Sequence, residues 1–321
     1  MRCLQSKSDD IFFNLATEEY LLRKKSDDYL MIWQSKPVVV VGKHQNLMSE
    51  INPGYIRKNK ISVARRLSGG GAVYQDYGNI NFSFIVNGEK GKLVDFRKFI
   101  KPVIEFLEFM GVSTQLGIRN DLFIDNRKIS GNAEHVYKER VLHHGTLLYN
   151  SNLNELKTSL SALSDSFVDK AVQSNRSSVT NIIDYLKIKP STDEFIKDLF
   201  LYLLHYFTDS CLDEITKEDE FQIAELINSK YSRWEWIFGY SPVYMVKTII
   251  YVENKGYKTE LKILKGIIAE VEIIDPFSKF EIQSIIENMI GLKYSYSSLN
   301  DYFKQVEMNI NTQSDLLNKI L

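Results

Sequence analysis

The sequence predicts an α+β protein with a large N-terminal domain, residues 1–244, and a small C-terminal α/β domain, residues 245–321. Three observations predict it. Val38, Val39, Val40 and Val41 are unbroken, as in a strand buried on both faces. Ile80, Phe82, Phe84 and Val86 alternate with Asn81, Ser83 and Ile85 in a nearly regular period of two. From Lys247 to Ile274 the chain changes to three short β-runs, with turns at Asn254-Lys255-Gly256 and Lys265-Gly266. Helical patterns follow over Phe280–Met289 and Ser298–Val306, so a three-stranded sheet with two or three helices is expected there. The boundary is expected between Gly239 and Lys247, near Pro242.

The elements follow in order. Asp9 or Asp10 can cap a helix through about Lys24, because Ile11, Phe12, Leu15, Ala16 and Leu22 recur with helical spacing. Tyr29–Trp33 and Pro37–Val41 read as strands, and Ile61–Arg66 as a strand leading into a glycine turn. A helix is expected over Asp95–Met110, with Phe96, Phe99, Ile100, Val103, Leu107 and Met110 on one face and Gly111 as its stop. Pro102 conflicts with that helix and predicts a kink or a first turn. Asp121–Asn150 reads as several strands with tight turns at Asp125-Asn126 and Lys138-Glu139, and Asn152–Lys230 as helical.

Composition narrows the function. There are 40 basic and 41 acidic residues, a net charge of −1, so no global positive field favours nucleic acid. Cys3 and Cys211 form no CxxC pair or disulfide framework, which fits a reducing cytoplasm. The first residues, MRCLQSKSDD, show no secretory signal, and no apolar run approaches the ~20 residues that span a bilayer.

Residues Arg65–Asn79, RRLSGGGAVYQDYGN, carry the strongest chemical signal. Ordering Gly69, Gly70 and Gly71 together is unfavourable unless the backbone must bend or approach a ligand. Their N–H groups can form a nest for a phosphate or carboxylate, with Arg65 and Arg66 adding charge beside it. A flexible hairpin turn is the competing reading. No GxxxxGK[ST] or dinucleotide spacing occurs, so a β-hairpin-like setting is expected. Asp121 suits either Mg²⁺ bridged to phosphates or a turn. Lys128 reads as a surface lysine, or as a point charge for a carboxylate and phosphate. His143 and His144 should point to opposite faces of a strand and so not share a metal. Trp234, Trp236 and Phe238 line a pocket or pack the domains together, with packing the default.

The segments RRLSGGGAVYQDYGNINFSF, GIRNDL, RKISGNA, HHGTLLYNSNL, SSVTNI and YSRWEWIFG resemble lipoate–protein ligases in identity and order. The match covers nearly the whole chain, and its C-terminal part is similar to the bipartite form with an accessory domain. The resemblance implies a catalytic domain with a central mixed sheet flanked by helices, of the biotin/lipoate ligase type. It implies ATP-dependent, AMP-forming activation of lipoate, then transfer to a lysine of a carrier. The carriers are lipoyl domains of 2-oxoacid dehydrogenase acyltransferase subunits or a glycine-cleavage H-type protein. By that match Arg66 and Gly71-Ala72-Val73-Tyr74, in one motif with Ser68, Gly69 and Gly70, hold the nucleotide. Lys128 contacts the lipoate carboxylate and the α-phosphate, and Asp121 holds Mg²⁺. A cytoplasmic monomer is expected, with no nucleic-acid or membrane partner. Gln75 departs from the histidine of many relatives and removes a titratable group. A lipoyl or octanoyl transferase and a non-catalytic lipoyl-carrier-binding protein are the alternatives. The first needs a well-placed cysteine, and the second predicts loss of the basic and phosphate-binding residues that this chain retains.

Overall fold

The computed structural model describes residues 1–88, 93–161, 166–175, 177–252, 255–274, 280–306 and 317. The N-terminal part opens with β1 (Arg2–Gln5), α1 (Ile11–Lys24), β2 (Tyr29–Trp33) and β3 (Val38–Val41). Then come α2 (Leu47–Glu50), α3 (Pro53–Lys58), β4 (Ser62–Arg65), β5 (Val73–Gln75), β6 (Asn79–Asn87) and α4 (Phe96–Phe109). A run of strands follows: β7 (Gln115–Leu116), β8 (Leu122–Ile124), β9 (Arg127–Ser130), β10 (Asn132–Tyr137) and β11 (Arg140–Leu148).

Six strands form a mixed sheet in the order β10-β11-β6-β2-β1, closed at its far edge by β13 (Cys211–Leu212). β1 is parallel to β2 and β13, and the other pairs are antiparallel. Period-two alternation assigns the faces. Leu30 and Ile32 join a core with α4, while Met31 and Trp33 join a core with α1. The valines of β3 divide the same way. Val38 and Val40 pack with α1, and Val39 and Val41 pack with the C-terminal sheet. This is why the run is unbroken.

Asp10 caps α1 by accepting from the Phe13 N–H, whereas Asp9 pairs with Lys36. α4 is capped by Asp95 and continues through Pro102. Proline removes one helical hydrogen bond, but Phe99, Ile100, Val103, Phe106 and Leu107 bury around it and keep the helix docked.

The helical expectation for residues 152–230 needs correction. Helices α5 (Leu153–Ser159), α6 (Thr192–Tyr206) and α7 (Lys217–Leu226) are present, the last running into a π-turn over Ile227–Tyr231. Between α5 and α6 lie β12 (Phe167–Asp169), an irregular stretch and a 3-10 turn over Ile182–Tyr185. Residues 162–165 and 176 lie outside the described residues. β12 is a strand because it completes a sheet far away in sequence, which no local pattern reports.

That sheet is four-stranded, in the order β12-β14-β15-β16, with β14 (Tyr244–Val252), β15 (Lys255–Leu264) and β16 (Ile267–Ile273). Of the three turn residues 254–256, Asn254 is outside the described residues. Helices α9 (Phe280–Glu287) and α10 (Tyr296–Gln305) follow. The short helix α8 (Trp234–Ile237) ties this sheet to the rest. Trp234 stacks on Phe238 at 5.8 Å, while Trp236 turns away and donates its indole N–H to the Arg65 carbonyl at 2.8 Å. The three aromatics therefore pack the two parts together and do not share one face.

Trp234 also covers Gly266, whose φ is +72° and whose Cβ would lie 2.2 Å from the indole Cη2. Gly266→Ala is expected to lower stability by about 1–3 kcal/mol through overpacking. Thermal unfolding checks this, and an unchanged melting temperature would show that Trp234 is not held against the turn.

Candidate active site

The glycine loop does not close a hairpin. In the sheet β4-β3-β5, β3 lies between the strands that the loop connects, parallel to β4 and antiparallel to β5. Residues 66–72 therefore cross over the end of β3. Arg66 holds them there from within. Its Nε donates to Ser68 Oγ at 3.0 Å and its Nη1 to the Val40 carbonyl at 3.2 Å. Its Nη2 donates to the carbonyls of Gly69 at 2.6 Å and Gly71 at 2.8 Å. Turning those carbonyls toward the guanidinium frees N–H groups for the other side of the loop. Gly70, at φ +89°, makes the reversal. A Cβ on Gly70 would lie 3.0 Å from Arg66 Nη2. Gly70→Val is therefore expected to weaken nucleotide binding at least about tenfold, measured by calorimetric titration with ATP. Unchanged affinity would show that the loop is only a connection.

Arg65 corrects the expectation of a second charge beside the nest. Adjacent strand residues point oppositely, and Arg65 is fully buried against the α8 region. It donates to the carbonyls of Gly42, Lys43, Gln45, Trp236 and Ile237 and to Ser241 Oγ. Burial pulls both guanidinium groups down to about 10.

Asp121 and Lys128 come together through the β8–β9 hairpin. Its turn residues Asp125 and Asn126 both have positive φ, 47° and 60°, as a two-residue hairpin turn requires. Lys128 Nζ lies 2.9 Å from Asp121 Oδ1, both partly exposed. The Lys128 backbone is fixed on its other side, donating to the Ser178 carbonyl at 2.8 Å and accepting from the Thr180 N–H at 3.1 Å.

These pieces line one cavity of about 240 Å³. Arg66, Gly70, Gly71, Ala72, Val73, Asp121 and Lys128 all reach it. Ser68, Gly69 and Tyr74 do not line it. Tyr74 points into the opposite core and donates its hydroxyl to Glu155. A nucleotide role for Tyr74 is thereby confined to its backbone. The rest of the wall is mixed: Leu15, Trp33 and Val40 are apolar, Gln75 and Asn81 bear amides, Thr146 and Ser174 bear hydroxyls, and His144 and Arg119 add an imidazole and a second guanidinium. Gln75 is buried in an amide cluster, accepting from Ser35 Oγ at 3.0 Å and donating to Asn81 Oδ1 at 2.9 Å.

Sheet register orders the cavity. Trp33 pairs with Asn81, Asn81 with Thr146, and the Thr146 N–H donates to the Gly131 carbonyl beside Lys128. Three strand spacings separate the backbone at Trp33 from that at Gly131, about 14 Å. The cavity thus has an apolar end and a charged end.

Four participants were not legible as site residues. Ser174 Oγ accepts from the Ala72 N–H at 2.7 Å, and Gln45 Nε2 donates to the same oxygen at 3.1 Å. Glu18 and Ser83 lie behind the wall, next to His144. As expected, the two histidines face apart. His143 pairs with Glu134 at 2.9 Å among phenylalanines, and burial lowers its pKa. His144 reaches the cavity. Neither cysteine lines it, and burial pushes the Cys3 thiol up to about 11. Among the described residues no cluster of three metal-ligating side chains occurs, and no helix is long and apolar enough to cross a membrane.

Comparison with known proteins agrees with this architecture. The chain belongs to the family described as the lipoyl protein ligase A/B catalytic domain, whose model matches residues 10–203. It is similar to lipoate-protein ligase LplJ of Bacillus subtilis (strain 168), 35% identical over 308 residues, 94% of this chain and 92% of that one. A putative lipoate protein ligase from T. acidophilum, solved with bound lipoic acid, has a TM-score of 0.64 at 26% identity over 74% of this chain and 98% of that one. A structural analysis of the bi-partite ligase and its E2 lipoyl domain from Thermoplasma acidophilum aligns at TM-score 0.63 and 26% identity, covering 75% of this chain and 97% of that one. Lipoate-protein ligase A bound with ATP gives TM-score 0.64 at 28% identity over 74% of this chain and 98% of that one.

Proposed function

We propose that this protein uses ATP to convert lipoate to lipoyl-AMP and then transfers the lipoyl group to a lysine of a carrier lipoyl domain. The observation that carries this is the polarity of the cavity, apolar at Trp33 and charged at Lys128. An acid with an aliphatic body and one carboxylate fits that gradient.

In the first step a carboxylate oxygen attacks the α-phosphorus, and the bond to pyrophosphate breaks. Two anions must approach. Lys128 screens their repulsion and meets the charge that grows on the phosphate. The N–H groups of Gly70 and Gly71 suit the phosphate. Asp121 is a single carboxylate, which suits Mg²⁺ held mainly by phosphates and water. Asp121 would hold Mg²⁺, which would add charge screening at the phosphates, and Lys128, freed of its ion pair, would face the reacting oxygens. In the second step the carrier's lysine amine attacks the acyl carbon, AMP leaves, and the amine loses its proton. No protein nucleophile is required, in keeping with cysteines placed away from the cavity.

Residues 1–244 form the catalytic unit of this proposal and 245–321 an accessory unit. The accessory sheet holds β12, and the segment that follows β12 supplies Val172, Gln173 and Ser174 to the cavity wall. Its role is to keep that wall over the adenylate and exclude water. The carrier is a lipoyl domain or an H-type protein.

The test is to incubate the full chain with lipoate, MgATP and an unmodified lipoyl domain, then map the product by peptide mass spectrometry. Lipoylation of one lysine, dependent on ATP, is expected. Lipoylation without ATP, from an acylated donor carrier, would replace the ligase reading with the transferase.

A further inference from the structure

Behind the cavity wall lies a buried chain of hydrogen bonds that catalysis as described does not use. Trp33 Nε1 donates to Ser83 Oγ at 3.0 Å, and Ser83 Oγ donates to Glu18 Oε1 at 2.5 Å. Both Glu18 oxygens lie 3.1 Å from His144 Nδ1. His144 Nε2 lies 2.6 Å from Ser68 Oγ, which accepts from Arg66 Nε. The chain ends on Arg66, whose other donors fix the Gly69 and Gly71 carbonyls. Every link is satisfied with His144 neutral, its proton on Nδ1 given to Glu18, and the Ser68 hydroxyl donating to Nε2. Glu18 is 2% exposed and Ser68 is fully buried.

Charge gives the chain a purpose. Among the described residues no ion pair joins Arg66 directly to a carboxylate. Glu18 is the carboxylate that favours its charged form, acting across the side chains of His144 and Ser68. A buried cation whose countercharge acts through a relay is sensitive to how well that relay is aligned and dried. Two of its members, Trp33 and His144, line the cavity.

We propose that Glu18, His144 and Ser68 are positioning residues that couple the acyl pocket to the glycine loop, so that acid and nucleotide bind with positive cooperativity. This rests on the ligase reading above. An acyl chain that covers His144 removes water from the relay, strengthens its hydrogen bonds and steadies Arg66. The Gly69 and Gly71 carbonyls are then fixed before the nucleotide arrives. Linkage makes the effect reciprocal, so the nucleotide tightens acid binding by the same factor.

The test uses the full chain, lipoate and α,β-methylene-ATP, whose α-phosphorus–carbon bond does not break, so that the acid is not adenylated. Calorimetric titration of each ligand with and without the other gives the coupling factor. About tenfold is expected for the unaltered protein. In Ser68→Ala it should fall to about onefold, with lipoate affinity in the absence of nucleotide within about twofold, because Ser68 does not line the cavity. A loss confined to coupling distinguishes a relay from general weakening. Wild-type coupling in folded Ser68→Ala would overturn the proposal, as would binding of both ligands to the unaltered protein without coupling. Failure of the folded protein to bind either ligand would overturn the ligase reading instead. A second readout needs no variant. In protein labelled at histidine ring nitrogens, α,β-methylene-ATP alone should shift the His144 resonances, and unmoved resonances would contradict the relay.

Discussion

Lys128→Ala is expected to reduce lipoyl-AMP formation by about 10²–10³-fold, the usual effect of removing one preorganised charge donor from a developing oxyanion. The loss should appear in kcat more than in KM for lipoate, because the apolar wall that binds the acyl body is untouched. Stability should barely change. The Lys128–Asp121 pair is 25% and 18% exposed, and such pairs contribute little. Single-turnover quench measurements of labelled adenylate, beside a thermal melt, check both parts. Near-normal adenylate from a folded variant would remove Lys128 from the reaction.

The largest structural effect is expected at Arg65. This one side chain supplies donors to five backbone carbonyls and to Ser241, all near or within the core. Arg65→Ala strands those acceptors and opens a cavity between β4 and α8. At about 1–3 kcal/mol per stranded buried group, a loss of roughly 4 kcal/mol or more follows. The melting temperature should fall by roughly 10 °C. Arg65→Lys should recover little, because an ammonium cannot present donors as a planar fork. A fall of less than about 3 °C would mean that water replaces the guanidinium at little loss. The neighbouring Arg66 gives a contrasting outcome, since its removal should disable the glycine loop first. Two consecutive arginines thus divide between pinning the C-terminal junction and shaping the loop.

Much of this was legible in sequence where the cause is local. The valine run, the alternation of β6, the Asp10 cap and the Asp125-Asn126 turn rest on propensities within a few residues. The glycine triplet announced a special backbone, and Lys128 entered through its motif. What failed depended on distance in the chain. β12 is a strand only because Tyr244–Val246 pairs with it, more than seventy residues later. The glycine loop is a crossover because β3 inserts between β4 and β5, which the spacing of residues 62–75 does not reveal. Arg65 and Arg66 looked alike, and only the carbonyls of Trp236 and Ile237 separate them. Glu18 sits in an ordinary Glu18-Glu19 pair on α1. Its partner His144 lies 126 residues away, so no local signal distinguished it.

The central claim is that a carboxylate and ATP react in this cavity before any carrier protein arrives. The most direct test is lipoate-dependent exchange of labelled pyrophosphate into ATP, with Mg²⁺ and no carrier present. Exchange that requires lipoate, and that is lost in Lys128→Ala, is the predicted result. A folded protein that binds lipoate and ATP yet shows no exchange would contradict it and assign acyl transfer to a step in which the carrier takes part.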